Sequence, residues 1–135
     1  FSGGNSFFLM DALRKSGTDK LLKKELQRGK LMVGESAGAI VCAPTITYIE
    51  PMDKKPPEYS QQDDAGLGLV KYYILPHFLD EVYRKASEEI LEKFSEFDVR
   101  PISNNQAILV KDNTSKIICN SDNEKAVRDF RNEQG

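Results

Sequence analysis

The sequence predicts a layered α/β domain, its 135 residues forming one unit over 1–135. Three observations carry this. Short apolar runs of strand type alternate with stretches whose apolar residues recur at helical spacing. Strand-type runs separated by Asn- and Asp-containing turns dominate the last part of the chain. No stretch repeats another and none is of low complexity, so repeat arrays and long disordered tracts are excluded as organising patterns.

Taken in order, Gly3-Gly4 reads as a turn that tolerates positive φ, and Asn5-Ser6 as a helix cap. Phe7, Phe8, Leu9, Ala12 and Leu13 then fall at helical spacing until Ser16-Gly17-Thr18 stops the run. A second helix is expected from about Asp19 to Gln27, with Leu21, Leu22 and Leu26 on one side and Arg28-Gly29 closing it. Leu31-Met32-Val33 reads as a short buried strand, and Ala37 to Cys42 as the helix after it, ended by Pro44. From Thr45 to Gly68 the chain is polar and proline-rich, a long loop of the kind that is usually functional or mobile. A strand is expected over Leu69–Leu75, running into Pro76-His77-Phe78, and an amphipathic helix over Asp80–Phe97 with Val82, Ala86, Ile90, Leu91 and Phe94 facing inward. Three short strands follow, at Val99–Ile102, Gln106–Val110 and Lys116–Cys119, with a last helix from Asn123 to about Arg131.

Composition narrows the function classes. A hydrophobic content of 39% with 30% charged residues is that of an ordinary globular protein. The formal net charge of −2, with Lys and Arg spread along the chain, leaves no basic footprint for nucleic acid. No apolar run approaches the ~18 residues of a membrane span, and no signal peptide is evident, so a cytoplasmic protein without membrane partners is expected. Cys42 and Cys119 have no metal-ligand spacing and read as two buried, reduced thiols; no metal or cofactor is expected.

The chemistry concentrates on Gly34-Glu35-Ser36-Ala37-Gly38, a G-x-S-x-G run between a strand and a helix. Small neighbours allow the tight turn that lifts the serine hydroxyl clear of the sheet. A serine hydroxyl needs a base to take its proton, and the chain has one histidine, His77, just beyond a predicted strand. The base needs an acid to hold its tautomer. Between Ser36 and His77 the acids are Glu50, Asp53, Glu58, Asp63 and Asp64, and spacing does not choose among them. An oxyanion would be met by the N–H of Ala37, the residue after the nucleophile, and by the Gly3-Gly4 turn.

Six motifs in order complete the pattern: Gly3-Gly4-Asn5 before an apolar helix, Gly34-Glu35-Ser36-Ala37-Gly38-Ala39, Pro44-Thr45-Ile46, Gly66-Leu67-Gly68-Leu69, Pro76-His77-Phe78 and Ser103-Asn104-Asn105-Gln106-Ala107-Ile108. Together they resemble the peptidase E family, the alpha-aspartyl dipeptidases and their relatives among serine peptidases. The resemblance implies a three-layer α/β/α fold with a mainly parallel sheet, related to the class I glutamine amidotransferases, which place cysteine where these proteins have serine. It implies Ser36 as nucleophile, His77 as general base, and Gly4 and Ala37 as oxyanion-hole donors. The register brings Pro51 to the position of the family's triad aspartate, so Glu50 is expected to substitute, with Asp53 the alternative. The arginine-containing insertion that follows the histidine in the dipeptidases is missing here, leaving Arg84 as the candidate to pair with a substrate carboxylate. The family also has several sheet strands ahead of the Gly-Gly-Asn turn. The chain is accordingly expected to be the C-terminal portion of such a protein, with a homodimer partner or another chain completing the sheet. The function implied is hydrolysis of short peptides. An esterase or amidase using the same residues, and a catalytically silent homologue, are the competing readings.

Overall fold

A computed structural model describes residues 1–119; the helix expected over 123–131 lies outside the described residues. The chain runs α1 (Ser6–Ser16), α2 (Thr18–Gln27), a one-turn α3 (Ala37–Ile40), β1 (Tyr73–Leu75), α4 (Arg84–Lys93), β2 (Val99–Pro101), β3 (Gln106–Lys111) and β4 (Thr114–Cys119). β1 and β2 pair in parallel, Tyr73 opposite Val99 and Leu75 opposite Pro101, while β3 and β4 form an antiparallel hairpin. Parallel neighbours need a crossover, and α4 lies within it. The architecture is therefore α/β, with helices and a parallel strand pair.

Helix α1 forms where its cap and periodicity predict. The Asn5 side chain accepts from the N–H groups of Phe7 and Phe8, and Gly17, at φ 74, ends the helix in the left-handed conformation. Phe7, Met10 and Leu13 lie on one face and are buried. Removing each such side chain from water is worth about 1.5–3 kcal/mol. They join Ile40, Val41, Ile46, Tyr48, Ile49, Leu67, Leu75 and Ile90 in one core, which sets α1, α3, β1 and α4 around a common centre.

Several elements are shorter than expected. Leu31–Val33 is extended, but among the described residues it joins no strand; Leu31 and Val33 are 76% and 69% exposed. The Phe1 amino group donates to the Val33 carbonyl and the Glu35 N–H to the Phe1 carbonyl, the slanted exchange of a parallel pair. The strand expected over Leu69–Leu75 is confined to Tyr73–Leu75 because Leu67, Leu69 and Val70 turn their N–H groups to Val41 and Cys42 instead of a ladder. The helix expected from Asp80 begins as a 3-10 turn at Glu81–Tyr83, and Val82, expected inside, is 82% exposed.

The long loop is anchored at several points. Thr45 bridges Ala65, Arg14 of α1 donates to the Ala65 carbonyl and to Asp63, and Asp11 accepts from Ser60 and Gln61. No helix among the described residues is long and apolar enough to cross a membrane.

Candidate active site

Ser36 stands in the corner between the extended Leu31–Val33 segment and α3, at φ 52 and ψ −114. That is a costly backbone for a residue with a side chain, of order 1–3 kcal/mol, and such strain is held by the surrounding structure. The two glycines of the motif hold it. A Cβ on Gly34 would overlap the Gly38 carbonyl, and a Cβ on Gly38 would overlap the Phe1 carbonyl. The corner is thus wedged between α3 and the first residues of the chain.

The Ser36 hydroxyl oxygen lies 2.9 Å from His77 Nε2, across a sequence separation of 41 residues. His77 follows the C-terminal end of β1 and has φ 60, the start of a tight turn closed by the Asp80 N–H donating to the His77 carbonyl at 3.0 Å. Its other nitrogen, Nδ1, is 2.8 Å from Asn104 Oδ1, and Asn104 Nδ2 donates to Asp80 Oδ2 at 3.1 Å. Tyr83 stacks on the imidazole, ring centres 4.8 Å apart and planes 23° from parallel. The ring is therefore fixed at both nitrogens and on one face.

The acid expected behind His77 is not there. Glu50 is exposed at the end of a 3-10 turn and makes no side-chain hydrogen bond among the described residues. Asp53 serves α1: its Oδ2 accepts from the Ser6 N–H at 2.8 Å and the Ser6 hydroxyl at 2.6 Å. Asn104 occupies the place behind the imidazole. Its signal was available in the Ser103-Asn104-Asn105 turn, which follows β2 as His77 follows β1. Ends of adjacent parallel strands are where site residues meet in α/β sheets. Asp80 and Tyr83 carried no sequence signal beyond their closeness to His77.

The Gly3-Gly4 turn does reach the serine. A Cβ on Gly3 would sit 3.6 Å from Ser36 Cβ and 3.8 Å from its hydroxyl oxygen. Gly4 has φ 113 with open space on the side a Cβ would take. Among the described residues, neither the Gly4 nor the Ala37 N–H donates a hydrogen bond. Arg84, considered for substrate binding, lies at the first turn of α4, more than half exposed, and pairs with Glu81. Cys42, beneath α3, donates to the Gly38 carbonyl, and burial pushes its thiol up to about 11. Cys119, expected to be buried, is exposed at the end of β4. No cluster of metal-ligating side chains occurs among the described residues.

The sequence matches the profile of Peptidase family S51 over residues 1–118. The chain belongs to that family. A relative, an uncharacterized peptidase of Pasteurella multocida, is 41% identical over 118 residues, 87% of this chain and 56% of its own. A peptidase E of Streptomyces coelicolor is 38% identical over 79 residues, 58% of this chain and 30% of its own. A crystal structure of a Listeria monocytogenes protein provisionally assigned as peptidase E superposes with a TM-score of 0.81 at 35% identity, covering 87% of this chain and 57% of that one. The chain thus spans about half the length of the relatives it matches over most of its own.

Proposed function

We propose that this S51 chain carries the nucleophile and base of a serine peptidase acting on short peptides, with Ser36, His77 and Asn104 as its working triad. The 2.9 Å approach of the Ser36 hydroxyl to His77 Nε2, from a strained G-x-S-x-G corner, is the observation that carries the reading. With Asn104 Oδ1 on Nδ1, the ring keeps its proton there and offers the Nε2 lone pair to the serine. Ser36 Oγ attacks the scissile carbonyl as His77 takes its proton; the N–H groups of Gly4 and Ala37 meet the oxyanion. His77 then passes the proton to the leaving amine, and water released of a proton to the same nitrogen hydrolyses the acyl-enzyme. The dipeptidase-like substrate range, a cytoplasmic setting and the three-layer arrangement around a mainly parallel sheet belong to the same proposal; the parallel β1–β2 pair supports the last.

One observation favours a competing reading. Asn104 is neutral, so it orients the imidazole without stabilising the imidazolium by charge, as a catalytically silent homologue would tolerate. A panel of dipeptides and simple esters assayed with the wild type and Ser36→Ala separates these readings. Dipeptide hydrolysis lost in Ser36→Ala supports the peptidase; turnover of esters alone supports an esterase; no turnover of either by the folded wild type supports the silent homologue; hydrolysis undiminished in the variant overturns the assignment of Ser36.

A further inference from the structure

We infer that Asp80 is a positioning residue that fixes the protonation pattern of His77 through the Asn104 side-chain amide. The catalytic consequence rests on the peptidase reading above; the structural claim does not.

The inference follows from which groups can donate. A carboxylate only accepts, so the amide end of Asn104 that faces Asp80 Oδ2 at 3.1 Å must be its NH2. That leaves the amide oxygen toward His77 Nδ1 at 2.8 Å, and an oxygen there requires Nδ1 to carry the proton. Nε2 is then the bare nitrogen, 2.9 Å from the Ser36 hydroxyl. Asp80 cannot swing away from this task. Its second oxygen, Oδ1, accepts from the Val82 N–H at 3.0 Å, and its own N–H is held by the His77 carbonyl at 3.0 Å. A carboxylate two links from the serine thus selects the tautomer that an asparagine alone leaves open, since an amide presents a donor as readily as an acceptor.

Asp80→Asn reverses the logic while keeping the cap, because asparagine caps a helix as well as aspartate. In that variant the remaining side-chain oxygen stays on the Val82 N–H, and the new NH2 turns toward Asn104. Asn104 then offers its own NH2 to His77 Nδ1, and the imidazole proton moves to Nε2. The nitrogen facing Ser36 becomes a donor and no longer serves as a base. Exchanging the two side chains, Asp80→Asn with Asn104→Asp, restores an acceptor on Nδ1 that is itself held by the amide introduced at position 80.

Nitrogen-15 NMR of the full chain reads this directly, since His77 is its only histidine. The reaction rate of Ser36 with a fluorophosphonate probe reports the consequence. The wild type is expected to show the Nδ1–H tautomer and Asp80→Asn the Nε2–H tautomer. Probe inactivation should slow on the order of 10²- to 10⁴-fold, in its maximal rate rather than in probe affinity. The exchanged pair should regain both the Nδ1–H signature and most of the rate, which a merely capping Asp80 would not produce. Asp80→Ser, which also caps but has a hydroxyl that both donates and accepts, should give a mixture and serves if Asp80→Asn does not fold. An Nδ1–H tautomer unchanged in either folded variant overturns the inference. A tautomer that switches as described in a protein whose Ser36 never reacts upholds it and rejects the peptidase reading instead.

Discussion

Ser36 is held at φ 52 by two backbone contacts that leave no room for a side chain at Gly34 or Gly38. Adding one methyl group at Gly34 forces it against the Gly38 carbonyl, where backbone must shift on both sides of the nucleophile. Gly34→Ala is therefore expected to cost about 1–3 kcal/mol and to slow the serine's reaction with a fluorophosphonate; thermal unfolding and labelling rate check the two. The cysteines differ in the same local way. Burial raises the Cys42 thiol to about 11, so little thiolate forms near neutrality, whereas Cys119 is exposed. Iodoacetamide at mildly alkaline pH is expected to modify Cys119 while leaving Cys42 intact, as peptide mass spectrometry would show. At this scale Ser36 and His77 were legible because their chemistry is rare: one G-x-S-x-G run and one histidine. Asn104 was legible as part of the Ser103-Asn104-Asn105 turn but not as the partner of His77, because an asparagine in a turn is ordinary and its approach to His77 joins positions 27 residues apart.

Among the elements, α1 shows how the site's surroundings are tied together. Asn5 caps the helix through Phe7 and Phe8 while its Nδ2 donates to the Lys54 carbonyl at 2.6 Å, and Ser6 grips Asp53 through two hydrogen bonds. One end of the helix thus fixes the long loop and, through Gly3-Gly4, the wall beside Ser36. Asn5→Ala is expected to lose about 1–2 kcal/mol, the upper end of a helix cap, and Asp53→Asn less because the Ser6 donors keep an oxygen; denaturant midpoints would rank them. Helix α1 was readable because its Asn5 cap, glycine stop and periodicity agree over its length, and α2, which has no side-chain cap, from its leucine spacing and the Arg28-Gly29 stop. Strand lengths depart from the apolar runs in both directions: β3 and β4 extend past Gln106–Val110 and Lys116–Cys119, to Lys111 and back to Thr114, because the hairpin pairs polar residues too, whereas the earlier runs fall short. An apolar run such as Leu69–Leu75 has the composition of a strand over its full length, yet only Tyr73–Leu75 finds a ladder, since Leu67 to Val70 spend their donors on the end of α3.

Across the whole molecule, two buried polar contacts join distant segments. Tyr48, fully buried, donates to the Ile74 carbonyl at 2.6 Å and packs edge-on against Tyr73, joining the long loop to β1 just ahead of His77. Asp11 receives Lys15, Gln61 and Ser60, and these hydrogen bonds hold its carboxyl down at about 2. A depressed carboxyl stabilises the fold above its unfolded value, about 4, and that stabilisation is lost as pH falls toward 2. The melting temperature is expected to drop over that acid range, and to drop less in Asp11→Asn; calorimetry at stepped pH would show the difference. The α/β class with a parallel strand pair was legible from the alternation of helix and strand patterns. The anchoring of Thr45–Gly68 was not, because composition does not reveal that Asp11 and Arg14 hold that loop from another element. At the centre of the chemistry stands one serine 2.9 Å from one imidazole. Fluorophosphonate labelling followed by peptide mapping, on the wild type and His77→Ala, tests that pairing most directly. The predicted result is an adduct on Ser36 that forms at least ~100-fold more slowly without His77, on the order of what general-base assistance contributes. A well-folded wild type that carries no adduct on Ser36, or labelling that His77→Ala leaves unchanged, would contradict it.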